Sequence, residues 1–148
     1  MKALTLTQPW ATLVAIGAKR IETRSWATKY RGPFAIHAAK AFPRGARDLV
    51  WRMPFSAVLC RVFRVGTEEE IIAKLPRGAV LATCRLLDCV PTEHIDAKTC
   101  PFRGLMTAQE RAFGDYYPRR FAWILDNVQQ LPESIPAKGA LSLWEWNP

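Results

Sequence analysis

Twelve residues, Ala79 to Val90, form a largely apolar run between the turn Arg77-Gly78 and Pro91. A run of that length and character, bounded by turn residues, reads as the central strand of a sheet. It then needs strand neighbours. Lys2 to Thr7 alternates around Leu4 and Leu6 and reads as a short strand. Phe34 to Ala38 follows the turn Arg31-Gly32-Pro33 and reads as another. Phe121 to Val128 and Leu141 to Trp146 supply the last strands. Lys19 to Trp26 is too charged for a buried helix and reads as a strand or extended edge.

Short helical patterns lie between these strands. Trp10, Leu13 and Val14 share a helical face after Pro9, and Gly17 is a natural stop. Ala46, Leu49, Val50 and Met53 have helical spacing until Pro54 interrupts. Phe55 to Val65 fits a helix by spacing and a strand by β-branching and alternation. Thr67 with Glu70 is a capping box that opens a helix to Leu75, and Thr107 with Glu110 opens a second. Pro91 to Arg103 reads as a polar connector. With no internal repeat and no regular βαβ alternation, the pattern predicts an α+β fold. Its expected form is one domain over residues 1–148, a small β-barrel with short helices inserted between strands.

No apolar run approaches the ~20 residues of a membrane span, and Met1-Lys2 leads at once into an amphipathic segment with no secretory character. The four cysteines form no CxxC pair, so a reduced, cytoplasmic chain is the simplest expectation. Cys84, Cys89, His94 and Cys100 can be written as a zinc pattern. Cys84 and Cys89 are five apart on the central strand, so they face opposite sides, and neither metal nor cofactor is expected.

Charge points to partners. Lys and Arg number 21 against 13 Asp and Glu, a net charge of +8, and fourteen of the 21 are Arg. Arg presents a planar fork to phosphate and stacks on bases, which raises nucleic acid as a ligand. A generally basic surface is the plainer alternative. Lys19, Arg20, Arg24, Lys29 and Arg31 fall within thirteen residues, and Arg119 and Arg120 border a later turn. On a strand, Arg20, Glu22 and Arg24 share one face and Lys19, Ile21 and Thr23 the other. That row is either a solvated ion-pair ladder or a cleft in which Glu22 orients Arg24 toward phosphate or a base edge. Trp26, flanked by Arg24 and Lys29, is the stacking candidate. His37 reads more readily as a core histidine with a backbone partner than as a catalytic group.

Gln8-Pro9-Trp10-Ala11, the pattern Gly17-x-Lys19-x-x-Glu22-x-Arg24-Ser25-Trp26, Tyr30-Arg31-Gly32 and Ile36-His37-Ala38 together resemble the ASCH domain. That is the activating signal cointegrator homology family. Gly78 to Ala82 running into Leu87-Asp88-Cys89, then Phe121 to Leu125, Lys138-Gly139 and Leu143-Trp144, resemble its later strands. The resemblance implies a PUA-like barrel with a cleft between the first helix and the sheet, lined by the Gly17–Arg24 segment. It also implies association with RNA and modified bases. Some compact members are amidohydrolases that deacylate N4-acetylcytidine with a Lys, a Thr three residues later and a Glu further along. Lys19 matches that Lys, Glu22 stands where the Thr would be, and Glu110 is the later Glu. Ribonuclease activity has also been associated with the family.

The expectation is a binder of RNA or single-stranded nucleic acid, including a modified nucleoside, in a basic cleft. Lys19 and Arg24 would contact phosphate or base and Glu22 would orient them. Trp26, Tyr30 and Arg31 would form a wall, with Arg20, His37, Arg119 and Arg120 as further ligand contacts. The alternative is a hydrolase, an N4-acetylcytidine amidohydrolase or a ribonuclease, with Lys19, Glu22 and Glu110 as its catalytic groups. A protein-interaction module is a third class.

Overall fold

A computed structural model describes all residues, 1–148. The apolar run Ala79–Pro91 is strand β4 and occupies the middle of one six-stranded sheet. The others are β1 (Lys2–Leu6), β2 (Ile21–Arg24), β3 (Gly32–Ala38), β5 (Phe121–Pro136) and β6 (Leu143–Glu145). Their order across the sheet is β2-β5-β4-β3-β1-β6. β1 runs parallel to β3, and every other neighbouring pair is antiparallel. The sheet curls into a half-barrel, and with its short helices it is an α+β fold of PUA-like form.

Five short helices fill the connections: α1 (Trp10–Ala15), α2 (Arg44–Leu49), α3 (Phe55–Phe63), α4 (Glu68–Lys74) and α5 (Ala108–Phe113). The ambiguous stretch after Pro54 is helical. Phe55, Val58 and Leu59 are its buried residues, and their spacing is that of a single helical face. Both capping boxes form, with Thr67 and Thr107 accepting from the backbone N–H of Glu70 and Glu110. β5 runs eight residues past Val128, because its polar second half pairs with the first half of β4. β6 is shorter than its sequence pattern, and the connector after β4 contains two single 3₁₀ turns.

Two apolar layers meet along α1. On one side, Ala11, Val14 and Ala15 pack against Leu6, Phe34, Ile36, Ala82 and Trp123 of the sheet. On the other, Leu13 joins Val50, Phe55, Leu59, Ile71 and Phe113 in a helical layer. The helical layer and β2 are the two banks of a cleft.

Candidate functional site

Gln8-Pro9-Trp10 sets the first bank. Gln8 is fully buried; its Oε1 accepts from Thr12 N–H (3.1 Å) and its Nε2 donates to the Pro76 carbonyl (2.6 Å). The glutamine thereby serves an otherwise open N–H at the start of α1 and ties the helix to the β4 turn. Trp10 Nε1 donates to the Phe113 carbonyl at 2.7 Å, which joins α1 to the end of α5. Phe55 packs edge-on to Trp10 (centroids 6.3 Å) and tilted against Phe113 (5.0 Å). With Leu49 these rings make an apolar wall.

Gly17 begins the second bank. Its φ is +79°, a left-handed conformation that suits glycine at a helix end. A side chain there would meet nothing within 4 Å, so the glycine serves the turn and not a close backbone approach. The turn places Lys19 ahead of the strand. Its backbone N–H donates to Leu13 O at 3.0 Å. Its side chain is wholly excluded from solvent, donating to the Ile21 carbonyl and to Glu22 Oε1 (3.0 Å). The strict face alternation expected of residues 19–24 therefore fails at its start: Glu22 contacts both Lys19 and, through Oε2, Arg24 Nη1 at 3.5 Å.

Glu22, Thr23 and Arg24 line the cleft opposite the aromatic wall, together with Asp115 and Arg120. The loop carrying the last two is pinned to β2. Asp115 N–H donates to Thr23 Oγ1 (2.9 Å), and Arg120 Nη2 donates to the Thr23 carbonyl (3.2 Å). Arg120 Nε also donates to the Asp115 carbonyl at 3.1 Å. The cleft encloses about 410 Å³. Its lining holds two guanidinium groups and two carboxylates, so the basic excess of the chain is not concentrated in it.

The expected catalytic residues separate by depth. Glu22 reaches the cleft, Lys19 lies beneath it, and Glu110 lies behind β2. Glu110 is buried and accepts from Arg20 N–H with both oxygens (3.1 and 3.0 Å) and from Ile21 N–H with Oε1 (2.8 Å). Burial raises its carboxyl above the ordinary range, while those backbone donors and the charges of Lys19 and Arg20 pull the other way.

Of the expected ligand contacts, Arg24 and Arg120 line the cleft. The Arg24 guanidinium lies 5.7 Å from the Trp26 ring centroid, and Trp26 packs edge-on to Trp123 at 4.8 Å, outside the lining. Arg20 is exposed and also outside it. Tyr30 hydrogen-bonds the Pro33 carbonyl, and Arg31 pairs with Asp88 at 3.0 Å. Arg119 has φ +66° and donates its backbone N–H to Glu93 Oε1 at 3.1 Å. His37 is buried; its Nδ1 lies 3.1 Å from Thr5 Oγ1 and its Nε2 2.8 Å from the Ala137 carbonyl. It opens on a different groove.

Sequence reasoning missed the apolar wall. Trp10 was legible as a helix-face residue, but Leu49, Phe55 and Phe113 come from three further helices, and only the tertiary fold brings them to one surface. Strand alternation puts Thr23 on the face opposite Glu22, yet both line the cleft.

The sequence model of the ASCH domain matches residues 4–133. Activating signal cointegrator 1 of Mus musculus is 28% identical over 142 residues, covering 96% of this chain and 22% of the relative. The Homo sapiens protein of the same name is 28% identical over 144 residues with the same coverage. The chain thus spans about a fifth of the length of these relatives. At the level of the family, the match supports a nucleic-acid-binding or RNA-related role. Residues 4–133 carry five of the six strands, from β1 into the last residues of β5, with both banks of the cleft: the chain belongs to the ASCH domain family.

Proposed function

We propose that the cleft beside β2 holds one nucleotide of an RNA or single-stranded nucleic acid. The observation that supports this is the opposition of its two walls. Trp10 offers ring surface on one side, backed by the buried rings of Phe55 and Phe113, and Glu22, Thr23 and Arg24 offer acceptors and donors on the other. A base stacks on the first and is read along its edge by the second. A volume of about 410 Å³ suits one base with its sugar and not a duplex. The +8 net charge attracts the strand at long range, and Arg24 and Arg120 meet phosphate at the mouth.

Titration with short labelled oligoribonucleotides tests the reading. Binding should quench Trp10 fluorescence, and Trp10→Leu should lose both the signal and most of the affinity. Undiminished affinity in Trp10→Leu would refute it.

A second reading is hydrolysis of a modified nucleoside or of RNA. It rests on the Glu22 carboxylate, which faces the cleft with a buried lysine bonded to one oxygen. Incubation with N4-acetylcytidine, and separately with end-labelled RNA, decides it. Deacetylated product or cleaved RNA that disappears in Glu22→Gln selects the enzyme; retarded, intact RNA selects the binder.

A further inference from the structure

A second groove opens where β3 leaves, β4 enters and β5 ends. It encloses about 990 Å³. Lys40, Arg77 and Lys138 line it from three separate connections, and no carboxylate does. All three side chains are exposed, and none takes part in an ion pair. Arg77 is nevertheless held in place. Its Nη1 donates to the Lys40 carbonyl (3.3 Å) and its guanidinium lies 5.9 Å from the Phe42 ring centroid.

The floor has a fixed shape. His37 Nε2 donates to the Ala137 carbonyl, Nδ1 lies 3.1 Å from Thr5 Oγ1, and Thr5 Oγ1 accepts from Trp144 Nε1 (3.0 Å). Both ring nitrogens are thereby occupied, which fixes the ring in the floor. Gly139 lies against it so closely that a Cβ would meet His37 Cε1 at 2.6 Å and Thr5 Oγ1 at 2.7 Å. The strap Lys138–Leu141 therefore stays low over the floor, and Leu141 projects from it 92% exposed. Unpaired cations around a small-residue floor, with an apolar side chain at the rim, match alternating phosphates and bases.

Position links this groove to the cleft. Thr5 lines the groove and Thr7 lines the cleft, two residues apart along the chain and so within about 7 Å. We infer that the groove is a phosphate track: Lys40, Arg77 and Lys138 bind the backbone of the same single strand whose one nucleotide enters the cleft. The second half of that statement rests on the proposed cleft function; the anion-binding groove does not.

The test compares an oligouridylate 12-mer with a dinucleotide on the full chain, across salt concentration. The wild type should bind the 12-mer at least tenfold more tightly than the dinucleotide at 50 mM salt. The triple variant Lys40→Gln, Arg77→Gln, Lys138→Gln should lose that gain and lower the log–log salt slope by about 2, at ~0.7 per phosphate of single strand. Its dinucleotide affinity should not change. The double variant Lys40→Gln, Lys138→Gln, which leaves the Arg77 contacts intact, should lower the slope by about 1.4. Wild-type slope and affinity for the 12-mer in a folded double variant would overturn the inference, as would absence of 12-mer binding by wild type. Equal competition by polyglutamate would overturn it in favour of an acidic protein partner. If cleft substitutions leave binding intact while the groove variants remove it, the cleft reading falls and the track stands.

Discussion

Lys19 Nζ lies 3.0 Å from Glu22 Oε1 with the lysine wholly buried and the glutamate 7% exposed. The pair is the hinge between the core and the cleft, because the other Glu22 oxygen faces Arg24. Removing one member of a buried pair leaves a charge without its partner, at a cost of about 3–5 kcal/mol. Lys19→Met should therefore lower stability by about 3 kcal/mol, or roughly 6–12 °C in Tm for a chain of this size. Lys19→Arg keeps the charge but must place a bulkier guanidinium in a site with no exposed surface, and it should also destabilise. Urea titration checks both. A Lys19→Arg protein as stable as wild type would mean that charge alone matters here and not the fit of the ammonium between Ile21 O and Glu22.

Glu110 should make stability depend on pH in the direction opposite to a surface carboxylate. Burial raises its folded-state carboxyl above the ordinary 4.5. The unfolded chain therefore releases this proton at lower pH than the folded one. The contribution is fully present below the ordinary pKa and is lost as pH rises through the raised one. Stability relative to Glu110→Gln should accordingly fall as pH rises from about 4.5 toward neutrality, by denaturation at several pH values. Glu110→Ala should cost about 2–3 kcal/mol at low pH and less as pH rises, because the Arg20 and Ile21 backbone N–H groups lose their acceptor.

The half-barrel was legible because its strands are local patterns. Ala79–Val90 and Phe34–Ala38 carry their own signals, and the Thr67 and Thr107 boxes mark helix starts within four residues. The cleft was half legible. Gly17 to Arg24 could be seen as one bank since its residues are consecutive, whereas Phe113 and Leu49 reach the other bank only through helix packing. Glu110 could be singled out by type, but not its role, because ninety residues separate it from the Arg20 and Ile21 N–H groups it receives. Arg31 and Arg20 are close to Arg24 in sequence, and a strand followed by a turn sends them elsewhere.

Two glycines should respond differently to alanine. At Gly139 the added Cβ would press on His37 and Thr5 at 2.6–2.7 Å, so Gly139→Ala should cost about 1–3 kcal/mol by overpacking. At Gly17 space is open and only the positive φ resists, so Gly17→Ala should cost about 1 kcal/mol. Thermal melts of both variants decide whether contact or conformation dominates at each position.

The cysteines should divide by accessibility. Burial pushes the Cys84 thiol up to about 12, whereas Cys60, Cys89 and Cys100 are half-buried. Thiolate is the reactive form, so iodoacetamide at pH 8 should spare Cys84 in the native protein and reach it only in denaturant. Peptide mass spectrometry reads the outcome, and native labelling of Cys84 would show that β4 opens on the labelling timescale.

Arg24 offers the sharpest separation of charge from geometry in the cleft. Its guanidinium is held between Glu22 Oε2 at 3.5 Å and the Trp26 ring at 5.7 Å, so it is both a cation and an oriented plane. Arg24→Gln removes both and should weaken single-stranded RNA binding by about 1.5 kcal/mol, roughly tenfold, with the salt slope lower by about 0.7. Arg24→Lys retains the charge but not the planar fork or its stacking. It should keep the wild-type salt slope while losing several-fold in affinity. Glu22→Gln should leave the slope unchanged and weaken binding through loss of orientation. Filter-binding titrations at three salt concentrations resolve the four proteins. If Arg24→Gln and Glu22→Gln, both folded, bind RNA as wild type does, the strand does not enter this cleft.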